Sequence, residues 1–167
     1  MKKQIIGVAS FNDNKIKGCI YFYEIINSNS VIVHVLLSGF KANATHAIHI
    51  HEAGDLTENC ISACAHFNPY NKNHGGPKDK ERHVGDLGNI QTDSNGNVDS
   101  QFSDKIIKLR GTKSNIIGRS VVIHEGIDDL GKGGFDDSLT TGHAGGRIAC
   151  AVIGYSKKMF KSKQVNN

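Results

Sequence analysis

The chain has 167 residues, with 20 Lys or Arg, 16 Asp or Glu, 19 Gly, two Pro and no Trp. This length suits one domain with its own core, and a Gly-rich composition with few runs of strong helix formers favours an all-β protein over a helical one. The formal charge of +4 comes from a C-terminal group of lysines, so the body of the chain shows no nucleic-acid footprint, and no segment is apolar enough to cross a membrane.

Eight strand-length segments are predicted along the chain, each β-branched or alternating between apolar and polar residues. They cover residues 4–10, 18–24, 31–37, 45–51, 89–92, 98–102, 120–124 and 147–153. The turn-forming segment from Asp93 to Asn97 predicts a hairpin loop between two of them. Eight strands in one domain indicate a closed or nearly closed antiparallel barrel or sandwich.

The domain is predicted to span residues 1–154, followed by a flexible basic tail at 155–167. The first ten residues turn polar too quickly for a signal sequence, which predicts a cytoplasmic protein. Two long loops, 53–88 and 125–146, interrupt the strands. Long loops in a compact domain are usually functional or disordered, and these two hold candidate ligands and many Gly and Asp residues, so we expect them to be functional.

Histidines are concentrated at the end of the fourth predicted strand and in the loop after it. His49 and His51 project from one face of that strand, so they can bind one metal ion without bending the backbone. The loop supplies a second group of candidate ligands, and a later strand adds one more: His66, His74, His83, Asp86 and His124. An all-imidazole set suits copper or zinc, and three nitrogens with one carboxylate suit zinc, so two sites are predicted. His66 could bridge them, which spacing alone leaves open.

Several blocks of the sequence resemble the copper/zinc superoxide dismutase family over nearly the whole chain to about Gly154. The blocks are His49-Ile50-His51-Glu52, His66-Phe67-Asn68-Pro69, His74-Gly75-Gly76-Pro77-Lys78-Asp79, Glu81-Arg82-His83-Val84-Gly85-Asp86-Leu87-Gly88, His124-Glu125, Asp128-Asp129-Leu130-Gly131-Lys132-Gly133-Gly134 and Gly145-Gly146-Arg147-Ile148-Ala149-Cys150. The resemblance implies an all-β fold, an eight-stranded Greek-key β-barrel or sandwich of immunoglobulin-like type with two long functional loops. It also implies an antioxidant oxidoreductase that disproportionates two superoxide anions to dioxygen and hydrogen peroxide.

The same resemblance implies a ligand set for each metal cofactor, and all seven ligand positions are filled. Copper, the redox-active metal, would bind His49, His51, His66 and His124. Zinc, the structural metal, would bind His66, His74, His83 and Asp86. His66 would bridge the two metals and relay a proton.

Three further residues match functional positions of the family. Arg147 matches the arginine beside copper, where a fixed guanidinium attracts and docks the small anion. Thr141 matches the residue that narrows the channel opposite it. Asp128 matches the carboxylate that joins a copper histidine to a zinc histidine, here His49 to His74.

The four cysteines are too few for a disulfide scaffold, and disulfides are uncommon in the cytosol, so the residues alone favour free thiols. The resemblance reverses this expectation, because Cys60 and Cys150 match the family's intrasubunit disulfide. Cys64, four residues after Cys60, could compete for Cys150, but a buried or idle thiol is expected. Cys19 is expected to be a packed small side chain.

Family members of this type are commonly homodimers, which is the expected assembly here. The matching contact positions are Gly54, Ile117, Gly118, Val152 and Ile153, while Ala53 and Tyr155 depart from the usual residues. A copper chaperone is a further possible partner.

Not every histidine is expected to bind metal. His34 is expected on a strand face, His46 behind the copper site, and His143 in an auxiliary structural role near the channel loop. Two other functions stay open at this point. One is a metal-buffering or copper-delivery protein, and the other is a binuclear zinc hydrolase, which is weaker because Glu52 and Glu125 are not obviously placed as a general base.

Overall fold

A computed structural model describes residues 4–13, 15–25 and 27–159. Strands account for much of these ranges. The strands are β1 (Gln4–Asn12), β2 (Lys17–Ile25), β3 (Val31–Ser38), β4 (Thr45–His51), β5 (Asp86–Gln91), β6 (Val98–Asp104), β7 (Ser120–His124) and β8 (Arg147–Tyr155). The described residues also form a short helix, α1 (Ser138–Thr141), and 3₁₀ turns at Ile61–Ala63 and Lys157–Met159. All eight predicted strands are confirmed, and their ends differ from the predicted ones by at most three residues.

The last strand continues past the predicted domain boundary at residue 154. β8 includes Tyr155, and the amide of Ser156 donates to the Ile6 carbonyl at 2.8 Å. The segment that follows β8 is therefore attached to the barrel at its start. Residues 160–167, which hold the rest of the predicted tail, lie outside the described residues.

The strands pair antiparallel in the order β5-β4-β7-β8-β1-β2-β3-β6 and form a nearly closed barrel. Neighbours that are distant in sequence, such as β4 with β7 and β3 with β6, mark the Greek-key crossovers. The predicted all-β Greek-key fold is thus confirmed. The hairpin prediction for Asp93–Asn97 is wrong, because β5 and β6 lie at opposite ends of this order. The segment does form a tight turn, in which Asp93 N donates to Asn97 O at 2.8 Å, but it crosses between the two ends of the sheet.

Alternation of side chains along the strands produces the core. In β3 every second residue is buried, and in β2 the side chains of Ile20 and Phe22 are fully buried. Burying a side chain of this size contributes about 1.5–3 kcal/mol relative to leaving it exposed. The core therefore follows from the period-two pattern of the sequence.

β4 departs from this alternation because both of its faces are covered. Ile48 and Ile50 point into the core, while His49 and His51, on the opposite face, are equally buried. A strand with a polar face is normally solvated on that side, so burial of these imidazoles requires other chain segments to cover them. The two long loops lie over this outer face.

Backbone hydrogen bonds attach the first loop to β4. The Phe67 amide donates to Ile50 O at 2.8 Å, the Ile50 amide donates to Gly85 O at 2.9 Å, and the Gly85 amide donates to Phe67 O at 3.0 Å. A Cβ at Gly85 would overlap the Ile50 carbonyl oxygen, so glycine is needed for this close approach. The loop is thereby fixed directly against the histidine-bearing strand.

A disulfide and a buried ion pair add two further anchors to this loop. Cys60 is bonded to Cys150 on β8, as the resemblance implied. Arg82 is 3 % exposed; its Nη1 donates to Asp104 Oδ2 at 2.7 Å and its Nε donates to His83 O at 3.0 Å.

No helix in the described ranges has the length and apolar content needed to cross a bilayer.

Candidate metal centre

Strand register brings together residues that are far apart in sequence. An irregularity in the β4–β5 pairing between Ala47 and His49 sets His49 opposite Asp86. A second irregularity, in the β7–β8 pairing, sets His124 opposite Arg147. An isolated bridge pairs His51 with His66 in the first loop. Bulges of this kind redirect side chains next to functional sites, and here they gather donors on the outer face of β4.

The first donor cluster consists of four buried histidines with nitrogen atoms within 4.8 Å of one another: His49, His51, His66 and His124. His51 Nδ1 donates to the Cys64 carbonyl oxygen at 2.8 Å. His124 Nδ1 lies 3.2 Å from the Gly145 carbonyl oxygen. A carbonyl can only accept, so each Nδ1 carries the hydrogen and each Nε2 keeps a free lone pair. The two Nε2 atoms lie 3.4 Å apart, so these lone pairs are available to one ion.

The protonation of these rings suits metal binding. Burial lowers the pKa of His49 to about 3, that of His51 to about 2 and that of His124 to about 4, and the neighbouring His66 adds to the effect. Rings with such pKa values are neutral near pH 7. Neutral imidazole is the form that binds a metal ion.

The second cluster converges on one carboxylate oxygen. Asp86 Oδ1 lies 3.0 Å from His66 Nδ1, 3.0 Å from His74 Nδ1 and 3.1 Å from His83 Nδ1. Tetrahedral zinc with bonds of about 2.0–2.1 Å has ligand atoms roughly 3.3 Å apart. The four atoms therefore lie close to the spacing that such an ion requires.

The ionisation of Asp86 and His74 shows that this cluster can hold a cation. Burial opposes ionisation of Asp86, but contacts with His66, His74 and His83 hold its pKa well below the usual range. Burial also acts to lower the pKa of His74, but the carboxylates of Asp128 and Asp86 outweigh it and raise the value to about 9. A site that stabilises one carboxylate and an extra positive charge is one that a divalent cation can fill.

Asp128 joins the two clusters. Its Oδ2 is 2.9 Å from His49 Nε2 and its Oδ1 is 2.8 Å from His74 Nε2, with all three side chains buried. An ionised carboxylate only accepts, so both Nε2 atoms carry hydrogen and both Nδ1 atoms face the donor clusters. One carboxylate therefore contacts a histidine of each cluster.

Two buried ring nitrogens in these clusters have no hydrogen-bond partner among the described residues: His49 Nδ1 and His66 Nε2. Buried polar atoms normally have a partner, so these atoms call for one. Each belongs to a donor cluster, and imidazole nitrogens with one carboxylate are suitable ligands for copper and zinc. The residues present therefore fit the two metals that the resemblance implies.

Arg147 lies beside the first cluster and is held by backbone carbonyls. Its Nη1 donates to Cys60 O at 2.6 Å and its Nη2 donates to Cys64 O at 2.6 Å. The disulfide fixes Cys60, so the guanidinium is attached to a constrained segment. The side chain is half-buried, which leaves part of the fork open to solvent.

Other predicted residues lie outside the clusters. Thr141 is in α1, where its Oγ1 donates to Asp137 Oδ2 at 2.8 Å. His34 pairs with Asp99 at 3.1 Å, and His143 is exposed and stacks on Phe135 with the ring centroids 3.8 Å apart. Among the described residues, neither His34 nor His143 belongs to a donor cluster.

His46 and Cys64 lie close to the first cluster without belonging to it. His46 Nδ1 lies 2.9 Å from the His124 carbonyl oxygen, so it packs behind the first cluster as expected. Cys64, for which a buried or idle thiol was expected, is a free thiol that is exposed and not buried, and Cys150 is bonded to Cys60 instead. Its side chain faces solvent because residues 61–63 form a 3₁₀ turn that ends at Cys64 in an unusual backbone conformation, with φ of 65°.

Sequence reasoning missed three supports of the site. Asn89 accepts from the Asp128 amide at 2.8 Å and donates to its carbonyl at 2.9 Å. Gly142 has a φ of +67°, and a Cβ there would overlap both Asp128 Oδ1 and His74 Nε2. The third is the Cys64 carbonyl oxygen, which accepts from both His51 Nδ1 and Arg147 Nη2. No local pattern marks these residues, since their partners are distant in sequence.

Comparison with known proteins identifies the family. The family model described as copper/zinc superoxide dismutase (SODC) matches residues 16–153. The chain belongs to the copper/zinc superoxide dismutase family. This membership accounts for both donor clusters, for the Cys60–Cys150 disulfide and for the eight-stranded barrel. It also makes the chain a member of an oxidoreductase family whose cofactors are copper and zinc.

Individual relatives agree with this assignment. A superoxide dismutase [Cu-Zn] of Paramecium bursaria Chlorella virus 1 is 56% identical over 148 residues, which cover 89% of this chain and 78% of the relative. One of Candida albicans is 50% identical over 145 residues, covering 87% and 94%. A crystal structure described as that of the clock protein EA4 superposes with a TM-score of 0.87 at 41% identity, covering 93% of this chain and 98% of the other.

Proposed function

We propose that this protein disproportionates superoxide and so acts as an antioxidant enzyme. Two superoxide anions and two protons give one dioxygen and one hydrogen peroxide, so one anion is oxidised and the other is reduced. The observation that carries the proposal is the pair of donor clusters that share His66, one all-imidazole and one containing Asp86. Bound copper would supply the one-electron chemistry, whereas zinc has no redox chemistry and would hold the loop.

We assign copper to His49, His51, His66 and His124, and zinc to His66, His74, His83 and Asp86. His49 also lies within 4.8 Å of the second cluster, so it competes with His83 for the fourth zinc position. The hydrogen bond from His49 Nε2 to Asp128 favours His83, because it leaves only His49 Nδ1 free. His83 Nδ1 lies 3.1 Å from Asp86 Oδ1, which is close to the 3.0 Å distances of His66 and His74 from the same oxygen. This spacing also favours His83 as the fourth zinc ligand.

His66 is the residue that serves both sites in this proposal. Its Nδ1 lies 3.0 Å from Asp86 Oδ1, and its Nε2 is buried without a partner among the described residues. The two nitrogens of one ring therefore face different clusters. We assign His66 Nε2 as the atom that accepts a proton and passes it to the peroxide product.

Arg147 would attract and dock the superoxide anion. Its guanidinium is always charged, and its two Nη atoms are anchored on the carbonyls of Cys60 and Cys64. Anchoring orients the remaining N–H groups before the anion arrives, which reduces the entropy lost on binding. Thr141 would narrow the opening on the opposite side.

The experiment is to reconstitute the metal-free protein with copper and zinc, with zinc alone and with copper alone. We expect near-equal copper and zinc per chain in the doubly loaded protein and superoxide removal that follows copper content. His51→Gln should lower copper content and activity together. The matched control is His34→Gln, since His34 lies on a strand face away from both clusters.

The outcomes also separate the two other functions. Copper bound at full occupancy without superoxide removal would indicate a storage or delivery protein. Hydrolytic activity in the zinc-only protein would indicate a zinc hydrolase, although Glu52 and Glu125 are exposed. Either result would overturn the proposal.

We further propose a homodimer that forms through the surface around Gly54 and Val152. A Cβ at Gly54 would overlap the Gly118 carbonyl oxygen, so these two segments lie in close contact, and Val152 beside them is 41% exposed. Sedimentation of the metal-loaded protein at micromolar concentration tests this, and a monomer would contradict it.

The proposal also includes a cytoplasmic location and loading by a copper chaperone. Cell fractionation tests the location. Comparing copper content in cells with and without such a chaperone tests the loading route, and unchanged copper content would count against it.

A further inference from the structure

A cavity of about 420 Å³ lies between the first long loop and the segment after β6. Its cationic lining side chains are Lys72, Arg82, Lys105 and Lys108. The other lining residues are neutral, and none is acidic, although the chain carries 16 Asp and Glu residues. The cavity belongs to neither donor cluster, and Arg147 is not part of it.

Three of these four cations form no ion pair with a carboxylate in the part of the chain that the structure describes. Arg82 is paired with Asp104 at 2.7 Å, but within the described residues no carboxylate lies within ion-pair distance of Lys72, Lys105 or Lys108. Like charges that line one concavity repel each other and raise the local potential. An anion that enters the cavity would relieve this repulsion.

Two of the amines are already positioned by the backbone. Lys72 Nζ donates to Lys80 O at 2.7 Å, and Lys108 Nζ donates to Lys105 O at 3.2 Å and to Asn29 O at 3.3 Å. An ammonium has three donors, so Lys72 keeps two for a ligand and Lys108 keeps one. Both side chains are half-buried, and less rotamer freedom is lost when such groups bind.

The remaining walls suit a small molecule. Tyr70 Oη and Ser114 Oγ lie 3.1 Å apart and offer hydroxyl groups, while Val84 and Ile106 provide apolar surface. A volume of about 420 Å³ lies in the range of small-ligand sites, roughly 300–1,000 Å³. A concave site of this size favours a compact ligand over a flat membrane surface.

We propose that this cavity binds a small molecule that bears two or more phosphate groups. Phosphate oxygens accept several charge-assisted hydrogen bonds, which the Lys72, Lys105 and Lys108 amines can donate. Of the two hydroxyls, the one that does not donate to the other can donate as well. The ligand would join the loop that carries His74 and His83 to the segment that carries Lys105 and Ser114. Arg82 lines the cavity and donates to the His83 carbonyl, so occupancy stabilises the loop that holds the second cluster.

Calorimetric titration with inorganic pyrophosphate at constant ionic strength tests the proposal, using the metal-loaded full-length protein. The triple variant Lys72→Gln, Lys105→Gln and Lys108→Gln should weaken binding about tenfold or more. The matched control, Lys17→Gln, Lys41→Gln and Lys157→Gln, removes the same charge at exposed positions outside the cavity and should stay within about twofold. Arg147→Ala should also stay near wild type, which separates this cavity from the proposed docking arginine.

A second measurement follows the thermal unfolding of each protein with and without pyrophosphate. Pyrophosphate should raise the unfolding temperature of the wild type and the control, and leave that of the triple variant unchanged. Equal affinity in the triple variant and the wild type would overturn the proposal. Vesicles of anionic lipid that bind the wild type through the same three lysines, with no pyrophosphate binding, would also overturn it, because the occupant would then be a membrane headgroup.

Discussion

His51 and Arg147 share one hydrogen-bond acceptor, the backbone carbonyl oxygen of Cys64, at 2.8 Å from His51 Nδ1 and 2.6 Å from Arg147 Nη2. One peptide group therefore orients a proposed copper ligand and the proposed anion-docking residue together. The segment that carries this carbonyl begins at Cys60, which is bonded to Cys150 on β8. Displacing this segment would disturb both residues together, so the proposed copper ligand and the proposed docking residue are structurally coupled.

Arg147→Ala is expected to lower kcat/KM by roughly ten- to hundredfold while copper content stays unchanged, because the charge that attracts and orients the anion is lost. Superoxide dismutases are a known example of such electrostatic steering. Arg147→Lys should recover only part of the activity, since one ammonium cannot contact both the Cys60 and Cys64 carbonyls as the fork does. Metal analysis and superoxide kinetics over a range of salt concentrations check this. Loss of copper in Arg147→Ala would contradict it.

The Cys60→Ser, Cys150→Ser double variant is expected to lower the free energy of unfolding by about 2–5 kcal/mol, because the bond closes a long loop with a sequence separation of 90 residues. Urea denaturation measures the change. The kcat/KM of the double variant should also fall, since the segment that holds Arg147 is released. Cys64→Ser is the matched control, because it removes an exposed free thiol from the same segment without opening the loop. An equal loss of stability in that control would contradict the prediction.

Asp128→Asn is expected to weaken binding of both metals by roughly 10–100-fold, because the amide cannot accept from both His49 Nε2 and His74 Nε2. Competition with chelators of known affinity measures each metal separately. Asp136→Asn serves as the control, since Asp136 is exposed in the same loop. A variant that loses only one metal would show that the two histidines are positioned independently.

Gly142→Ala is expected to reduce metal affinity, whereas Gly134→Ala is not. Both glycines have positive φ, +67° and +77°, so either substitution strains the backbone by about 1 kcal/mol. Only at Gly142 would the new Cβ overlap Asp128 and His74, since no atom lies within 4 Å of the Cβ position at Gly134. Zinc and copper titrations of the two variants separate backbone strain from displacement of the ligands. Equal metal affinity in both variants would show that the overlap is relieved without cost.

Much of the fold was predictable from local patterns. Alternation along β3 and the turn residues between strands identify each strand without reference to its partners. The hairpin prediction at Asp93–Asn97 failed because turn residues report a reversal of the chain and do not specify which strand pairs with which. The start of β5 at Asp86 was also missed, since that strand begins with a residue whose carboxylate belongs to the second donor cluster.

The sequence by itself determined the strands, the placement of His49 and His51 on one face of β4, and the family, because these follow from side-chain spacing and from residue identity. Only the tertiary structure decided how the donors meet: His49 opposite Asp86, His124 opposite Arg147, and Asp128 between His49 and His74. The physical reason is that side-chain direction along a strand is local, whereas strand register and loop closure depend on contacts between residues distant in sequence.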